Sequence, residues 1–465
     1  MLPDMHPRAT LAATILGSSL AFIDGSVVNV ALPVLAADLK VAPADLSWTI
    51  NAYLLPLGAL ILLGGALGDH FGRRRFFQIG LLTFTVASVG CAAAPTGAWL
   101  LAARALQGLG AALLMPNSLA LLGGGFTGEA RGRAIGTWAA AGALAGALGP
   151  IVGGWLVDTI GWRTIFLLNL PIAAGAAYLT WRYVEERKAL QGAAPLDGVG
   201  AGLVTVALGL LTWALTKASE AGAGPSASWS AALAGSVLLG AFLWHERRLG
   251  SRAIMPFAMF SSSTFAGLTL LTFFLYGSLG GLLVLLPYFL IRILTWPAIA
   301  AGAALLPVPV LIGLGSRFMG KVASRQGARL PLAIGSGVVG AGLALYAKVP
   351  TIAADYWLDI FPPTLLVALG MGACVAPLTT AVLSSVDAGH VGLASGFNSA
   401  VARIAGLVAT ALLGFVFARQ ESAANFMIGF RAAAWIGAGS AAFAAGCALY
   451  LIRPTDPGGD GGLRA

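Results

Sequence analysis

"GALGDHFGRRR", residues 65–75, separates two apolar runs and ends on three consecutive arginines, Arg73, Arg74 and Arg75. Arginines between two stretches that are each long enough to cross a bilayer mark a cytoplasmic connection. Gly65 and Gly72 let the helix ends approach a neighbour closely. Asp69, between them, is a carboxylate at a tight turn, suited to pairing with an arginine or meeting the positive end of another helix. A loop that only sets topology explains the arginines but not the Gly, Asp, Gly spacing. Farther along, "GKVASRQGARL", residues 320–330, places Gly320, Gly327 and Arg329 opposite Gly65, Gly72 and Arg74, with Ser324 opposite Asp69. An echo of this kind predicts a chain built from two repeated helix bundles.

Composition agrees with that reading. Of the 465 residues, 58% are hydrophobic and 10% charged, against roughly 25% charged in a soluble domain. Fourteen apolar runs of spanning length lie between residues 12 and 451, and their Gly and Ala content without strict alternation predicts helices, not a barrel. The net charge of +9 is a matter of topology. With the loops dealt alternately to two sides, Arg8, Arg73 to Arg75, Arg131, Arg133, Arg182, Arg187, Lys188, Arg247, Arg248, Arg252, Lys321, Arg325, Arg329, Arg453 and Arg464 fall on the side of both termini, and Lys40, Arg163, Lys217, Arg292, Lys348, Arg419 and Arg431 on the other. That bias places the termini in the cytoplasm and removes the case for a nucleic-acid partner.

Other function classes find little support. Cys91, Cys374 and Cys447 lie far apart inside predicted spans, so neither a disulfide framework nor a metal site is expected. His6, His70, His245 and His390 are dispersed and have no metal-ligand spacing, which argues against a membrane enzyme. Gly320-Lys321 is followed by valine, not by Ser or Thr, so no phosphate-binding loop and no nucleotide cofactor is expected. No pore segment recurs. The first apolar run reads as helix 1, not as a cleaved leader.

The organisation read from these runs is a six-helix bundle over 1–183, a linker with two inserted spans over 184–256, and a second six-helix bundle with a short tail over 257–465. Within the spans, a few polar residues stand out. Asp24, in "AFIDGSVVNVALP" (21–33), is costly in a bilayer unless it faces a protein interior or a cavity. It reads either as a carboxylate whose pKa is raised by desolvation, able to carry a proton or contact substrate, or as a packing residue bonded to Ser26 or Asn29. Arg104, with Gln107 one turn on, faces the interior and seeks an acid, Asp24 first, or else snorkels to water. "GALAGALGPIVGG" sets Gly142, Gly146, Gly149, Gly153 and Gly154 in a small-residue ladder interrupted by Pro150, a pattern for close helix packing with a kink. Tyr276, among the aromatics of the second half, is a candidate cavity residue. Arg403 reads as a gating or anion-contact residue, or as one that reaches a backbone carbonyl.

Taken together, "IDGSVVNVALP", "GALGDHFGRRR", "RALQGLGAA", "GALAGALGPIVGG" and "GWRTIFLLNLPI" resemble the 14-helix drug:proton antiporter branch of the major facilitator superfamily. The resemblance implies an all-α integral membrane protein of two six-helix bundles in pseudo-twofold arrangement plus a two-helix insert. It implies proton-coupled export of amphiphilic or cationic small molecules across a bacterial inner membrane. The chain would act as a monomer, alone or with an accessory export protein; a dedicated exporter of one endogenous metabolite is the alternative. It further implies that the 65–75 loop latches the halves, with Asp69 meeting the helix that starts at Val391 and Gly392 and Arg73 reaching Glu129. One departure is visible. Asp355 and Asp359 sit at the edge of a span, and Asp387 and Glu421 lie in loops, so no carboxylate is expected in the second half's cavity.

Overall fold

The computed structural model describes residues 7–41, 46–126, 128–186, 197–218, 225–250, 253, 257–350, 354–386, 391–417 and 422–453. The first half comprises α1 (Pro7–Leu39), α2 (Leu46–Phe71), α3 (Arg73–Ala92), α4 (Gly97–Gly125), α5 (Gly128–Thr159), a short α6 (Thr164–Leu167) and α7 (Asn169–Tyr183). Next come α8 (Gly198–Ala218) and α9 (Pro225–Leu249). The second half holds α10 (Ser263–Arg292), α11 (Ala298–Ala304), α12 (Pro307–Gln326), α13 (Arg329–Tyr346), α14 (Phe361–Ser384), α15 (Val391–Leu412), α16 (Gly414–Phe417) and α17 (Ala423–Leu451).

The two halves use one pairing scheme. In the first, α1 packs on α5 and α7, α4 packs on α2 and α3, and α3 packs on α7. In the second, α10 packs on α15 and α17, α14 packs on α12 and α13, and α13 packs on α17. The halves meet where α2 lies against α15, α5 against α11 and α12, and α1 against α10. The pair α8 and α9 docks through α8 onto α2 and α15.

The repeat seen in the two basic loops extends to atomic contacts. Gly72 (φ 111°) and Gly327 (φ 81°) both adopt a left-handed backbone at the helix junction, a region glycine enters without strain. Arg74 donates from Nη2 to the Trp181 carbonyl at the end of α7, and Arg329 donates from Nη2 to the Leu449 carbonyl at the end of α17. Gly65 faces the Pro116 ring on α4, as Gly320 faces Ala376 on α14. Each arginine thus fastens the start of its half's third helix to the end of its last.

Twelve segments among the described residues are long and apolar enough to cross a membrane, against the fourteen that the apolar runs predict. The difference lies in α5 and α9. Their lengths, 32 and 25 residues, correspond to about 48 and about 37 Å. In α5, the apolar stretch among the described residues is Leu144–Thr159. In α9, the helix opens on Pro-Ser-Ala-Ser and closes on His245, Glu246, Arg247 and Arg248.

At the base of the insert, Asp197 Oδ1 accepts hydrogen bonds from the Gly200 N–H (2.7 Å) and from His245 Nε2 (2.9 Å), tying α8 to α9. Burial pushes the Asp197 carboxyl up, but the Gly200 N–H, His245 and Glu246 outweigh it and hold it below the usual carboxylate value.

The glycine junctions generate a test. Alanine at either one forces a left-handed L-residue, costing about 1–2 kcal/mol. At Gly72 the added methyl also meets the Glu186 carboxyl carbon at 2.7 Å. Thermal unfolding in detergent is expected to fall for both variants, with Gly72→Ala lower than Gly327→Ala. Unchanged midpoints would contradict the geometry.

Candidate functional site

Asp24 lies midway along α1 and is fully buried. Its Oδ2 accepts from Nη1 of Arg104 on α4, and its Oδ1 accepts from Nε2 of Gln107 at 3.2 Å. Gln107 Nε2 also donates to Ser88 Oγ on α3 (2.9 Å), and Ser88 Oγ accepts from Asn169 Nδ2 on α7 (3.2 Å). Gln107 Oε1 accepts from Arg104 Nη1 (2.9 Å) and from the Cys91 thiol (3.2 Å). Arg104 is 1% exposed. Its Nε donates to the Thr49 carbonyl on α2 (3.1 Å), and its guanidinium lies over the Tyr53 ring at 4.5 Å and near Phe166 at 5.9 Å. Five helices of the first half therefore converge on one ion pair, which supplies the hydrogen bonds a buried charge pair requires.

The pairing shows which partners the two residues take. Asp24 is bonded to Arg104 and Gln107, whereas Ser26 Oγ donates to the carbonyls of Phe22 and Ile23. Arg104 is enclosed and does not snorkel. Asn29 is buried but outside this network among the described residues. Tyr276 lies on α10 in the other half, with the Cys374 thiol of α14 as its electrostatic neighbour.

The glycine ladder of α5 faces two ways. Methyl groups on Gly142, Gly149 and Gly153 would collide with Phe22, Ser26 and Val27 of α1, so α5 is pressed against the helix that carries Asp24. Gly146 is looser, with Phe22 O at 3.9 Å. A methyl group on Gly154 would instead stand 2.5 Å from the Ala298 carbonyl group of α11, and one on Gly302 of α11 would stand 2.2 Å from the Pro150 carbonyl oxygen. Here the halves touch backbone to backbone.

Asp158 seals that contact, a role the sequence reading missed. Its two carboxylate oxygens accept from the N–H groups of Ala298 (3.2 Å) and Ile299 (3.0 Å), capping α11 from across the interface. A carboxylate in the last turn of its own helix is unfavourably placed in that helix's dipole. Such a position is the available signal that an acid serves a neighbour.

At the other end, the 65–75 loop holds itself together. Arg73 Nε donates to Asp69 Oδ1 (2.7 Å) and Arg73 Nη1 to the Ala120 carbonyl (3.2 Å). The side chains of Glu129, Val391 and Gly392, which the resemblance pairs with this loop, lie outside the described residues. Glu186, just past α7, caps α3 by accepting from the N–H groups of Arg74 (3.2 Å) and Arg75 (2.8 Å). In the sequence this glutamate reads as linker; its position before a basic stretch conceals its use as a cap.

Residues 14–410 match the Major Facilitator Superfamily. The chain belongs to that superfamily. It is 33% identical over 431 residues to the multidrug resistance protein Stp of Mycobacterium tuberculosis, covering 89% of this chain and 76% of the relative. It is 32% identical over 420 residues to the methylenomycin A resistance protein of Bacillus subtilis, covering 88% and 87%. It is 30% identical to the tetracenomycin C resistance and export protein of Streptomyces glaucescens, covering 89% and 77%. Among solved structures, a bacterial homologue of the human lysosomal transporter Spinster, crystallised inward-facing, superposes with a TM-score of 0.66 at 16% identity, covering 97% of this chain and 98% of that one. This likeness shows the fold. A superfamily member is a multi-pass transporter of small molecules and not a catalyst.

The interface at α5 and α11 yields a prediction. Asp158→Ala removes two charge-assisted bonds, each worth about 1 kcal/mol or more, and shifts the population toward separation at that end. Spin labels at Thr159 and Thr295 are expected to show a larger long-distance fraction in the variant. Identical distance distributions would exclude the latch.

Proposed function

We propose that this chain is a proton-coupled exporter of amphiphilic drugs that works by alternating access, with Asp24 as the site where proton and substrate are coupled. The observation that carries the reading is the buried Asp24–Arg104 pair. Protonating Asp24 in place would leave the Arg104 guanidinium buried without a counter-charge, which costs several kcal/mol. Proton uptake is therefore inseparable from a rearrangement that brings water or another anion to Arg104. Such a bond between charge state and conformation is what antiport needs. Moving one charge down 100 mV then supplies about 2.3 kcal/mol.

The finer assignments belong to the same proposal. Helices α5 and α9 cross the membrane as well, giving fourteen spans: a bundle over 1–183, an inserted pair within 184–256 and a bundle over 257–465. The basic side faces the cytoplasm of a bacterial cell and holds both termini. Gly65, Asp69, Gly72, Arg73, Arg74 and Glu129 form the cytoplasmic gate, and the α5 ladder, through Gly149, Pro150, Gly153 and Gly154, forms the outer one. The similarity to proteins named for multidrug resistance and drug efflux supports export as the direction. Other relatives are named for single compounds, methylenomycin A and tetracenomycin C; this supports the second reading, a dedicated metabolite exporter on the same fold.

The test uses proteoliposomes with an imposed pH gradient and a panel of dyes. Asp24→Asn is expected to abolish gradient-driven efflux. It should also lower thermal stability, because removing one partner of a buried pair costs about 3–5 kcal/mol. The double variant Asp24→Asn/Arg104→Gln is expected to recover stability without recovering coupled efflux. Gradient-driven transport at the wild-type rate in either variant would refute the assignment.

A further inference from the structure

Arg403 is the thirteenth residue of the 22-residue helix α15, half-buried against α2. The two helices are in close contact: a methyl group on Gly58 would stand 3.4 Å from Cβ of Arg403, Leu54 faces Gly406 and Leu62 faces Gly396. Arg403 and Tyr53, the ring beneath Arg104, are near enough to act on each other electrostatically. The guanidinium thus projects from the second half toward the coupling site of the first.

What sets Arg403 apart is the lack of a counter-charge. Among the described residues it forms no ion pair, and its Nε is buried without a hydrogen-bond partner. Away from their ends, α2, α10, α12, α14 and α15 contain no Asp or Glu. Asp24, the buried carboxylate of the first half's site, is already neutralised by Arg104. A guanidinium carries five donors and holds its charge at every accessible pH. An uncompensated cation at mid-membrane depth is costly and is retained where it has a task. Where α2 meets α15, Arg403 is therefore a positive charge without a counter-charge among the described residues.

We propose that Arg403 is the anion-recognising residue of the substrate site, and that the preferred cargo is an amphiphile bearing an acidic group, such as a carboxylate, sulfonate or ionised phenol, and not a cation. The proposal rests on the reading of the chain as an exporter and refines its substrate class. A planar guanidinium gives two parallel hydrogen bonds to such a group, while the apolar residues around it take the rest of the molecule. An acidic substrate at Arg403 also brings negative charge toward Arg104, the group left exposed when Asp24 is protonated. Cargo and proton then act on the same pair of arginines.

Purified full-length protein is titrated with two dyes of matched shape, the anionic 8-anilino-1-naphthalenesulfonate and the neutral N-phenyl-1-naphthylamine. Wild type is expected to bind the sulfonate more tightly. Arg403→Gln should weaken the sulfonate about tenfold, the scale of one lost charge-assisted contact, with the neutral dye nearly unchanged. Arg403→Lys should recover most of the difference. Equal binding of both dyes by wild type overturns the proposal without any variant. So does an Arg403→Gln protein that keeps its sulfonate affinity or loses affinity for both dyes in parallel. Failure of the exporter reading is separable: wild-type vesicles would then move neither dye under a pH gradient, whatever the binding preference.

Discussion

The structure depends on one buried ion pair. Asp24 and Arg104 are buried where either charge alone would be prohibitive, and their neighbours are arranged to satisfy what remains. Gln107 bonds both partners, Ser88 and Asn169 support Gln107, the Thr49 carbonyl takes Arg104 Nε, and the Tyr53 ring covers the guanidinium. A pair embedded this way contributes little net stability compared with apolar packing. On the proposed mechanism it contributes a condition: the arrangement of α1, α2 and α4 depends on the charge of the pair.

That condition reaches the other half through packing. The glycines of α5 press it against α1 on both sides of Asp24, and the same helix meets α11 through Gly154, Gly302 and the Asp158 cap. Helix α2, which holds Arg104 by its carbonyl and its tyrosine, meets α15 at Gly58 and Arg403. The carboxylate is therefore linked, through α2 and α5, to two of the places where the halves touch, and its own helix α1 forms the third against α10. Closely packed backbones do not deform gradually, so a change at Asp24 moves whole helices or nothing.

Much of this was legible in the chain. The echo between 65–75 and 320–330 was weak by identity, yet Gly72 and Gly327 share a left-handed backbone and Arg74 and Arg329 share a carbonyl target. Only glycine suits that conformation, which is why the signal survived in both loops. Intramembrane Asp and Arg announced themselves by cost. The caps did not: Asp158 and Glu186 lie at helix ends, where acids are common, and their partners are 140 and 111 or 112 positions away in the sequence. Tyr276 lies on α10, away from the pair, and one aromatic among many carries little positional information in a sequence. Twelve spans stand among the described residues because the described apolar stretch of α5 is short and because Ser, Trp and terminal charged residues dilute the hydropathy of α9, though both helices are long.

The measurement closest to the central claim is proton release on substrate binding. Purified protein in weakly buffered detergent solution, mixed with a saturating amount of the amphiphile it exports, is followed with a pH indicator. If the Asp24–Arg104 pair links charge to conformation, substrate binding changes the number of bound protons in wild type, and Asp24→Asn abolishes the change while still binding. An Asp24→Asn protein that exchanges as many protons as wild type would show that the coupling carboxylate lies elsewhere and that the pair serves packing alone.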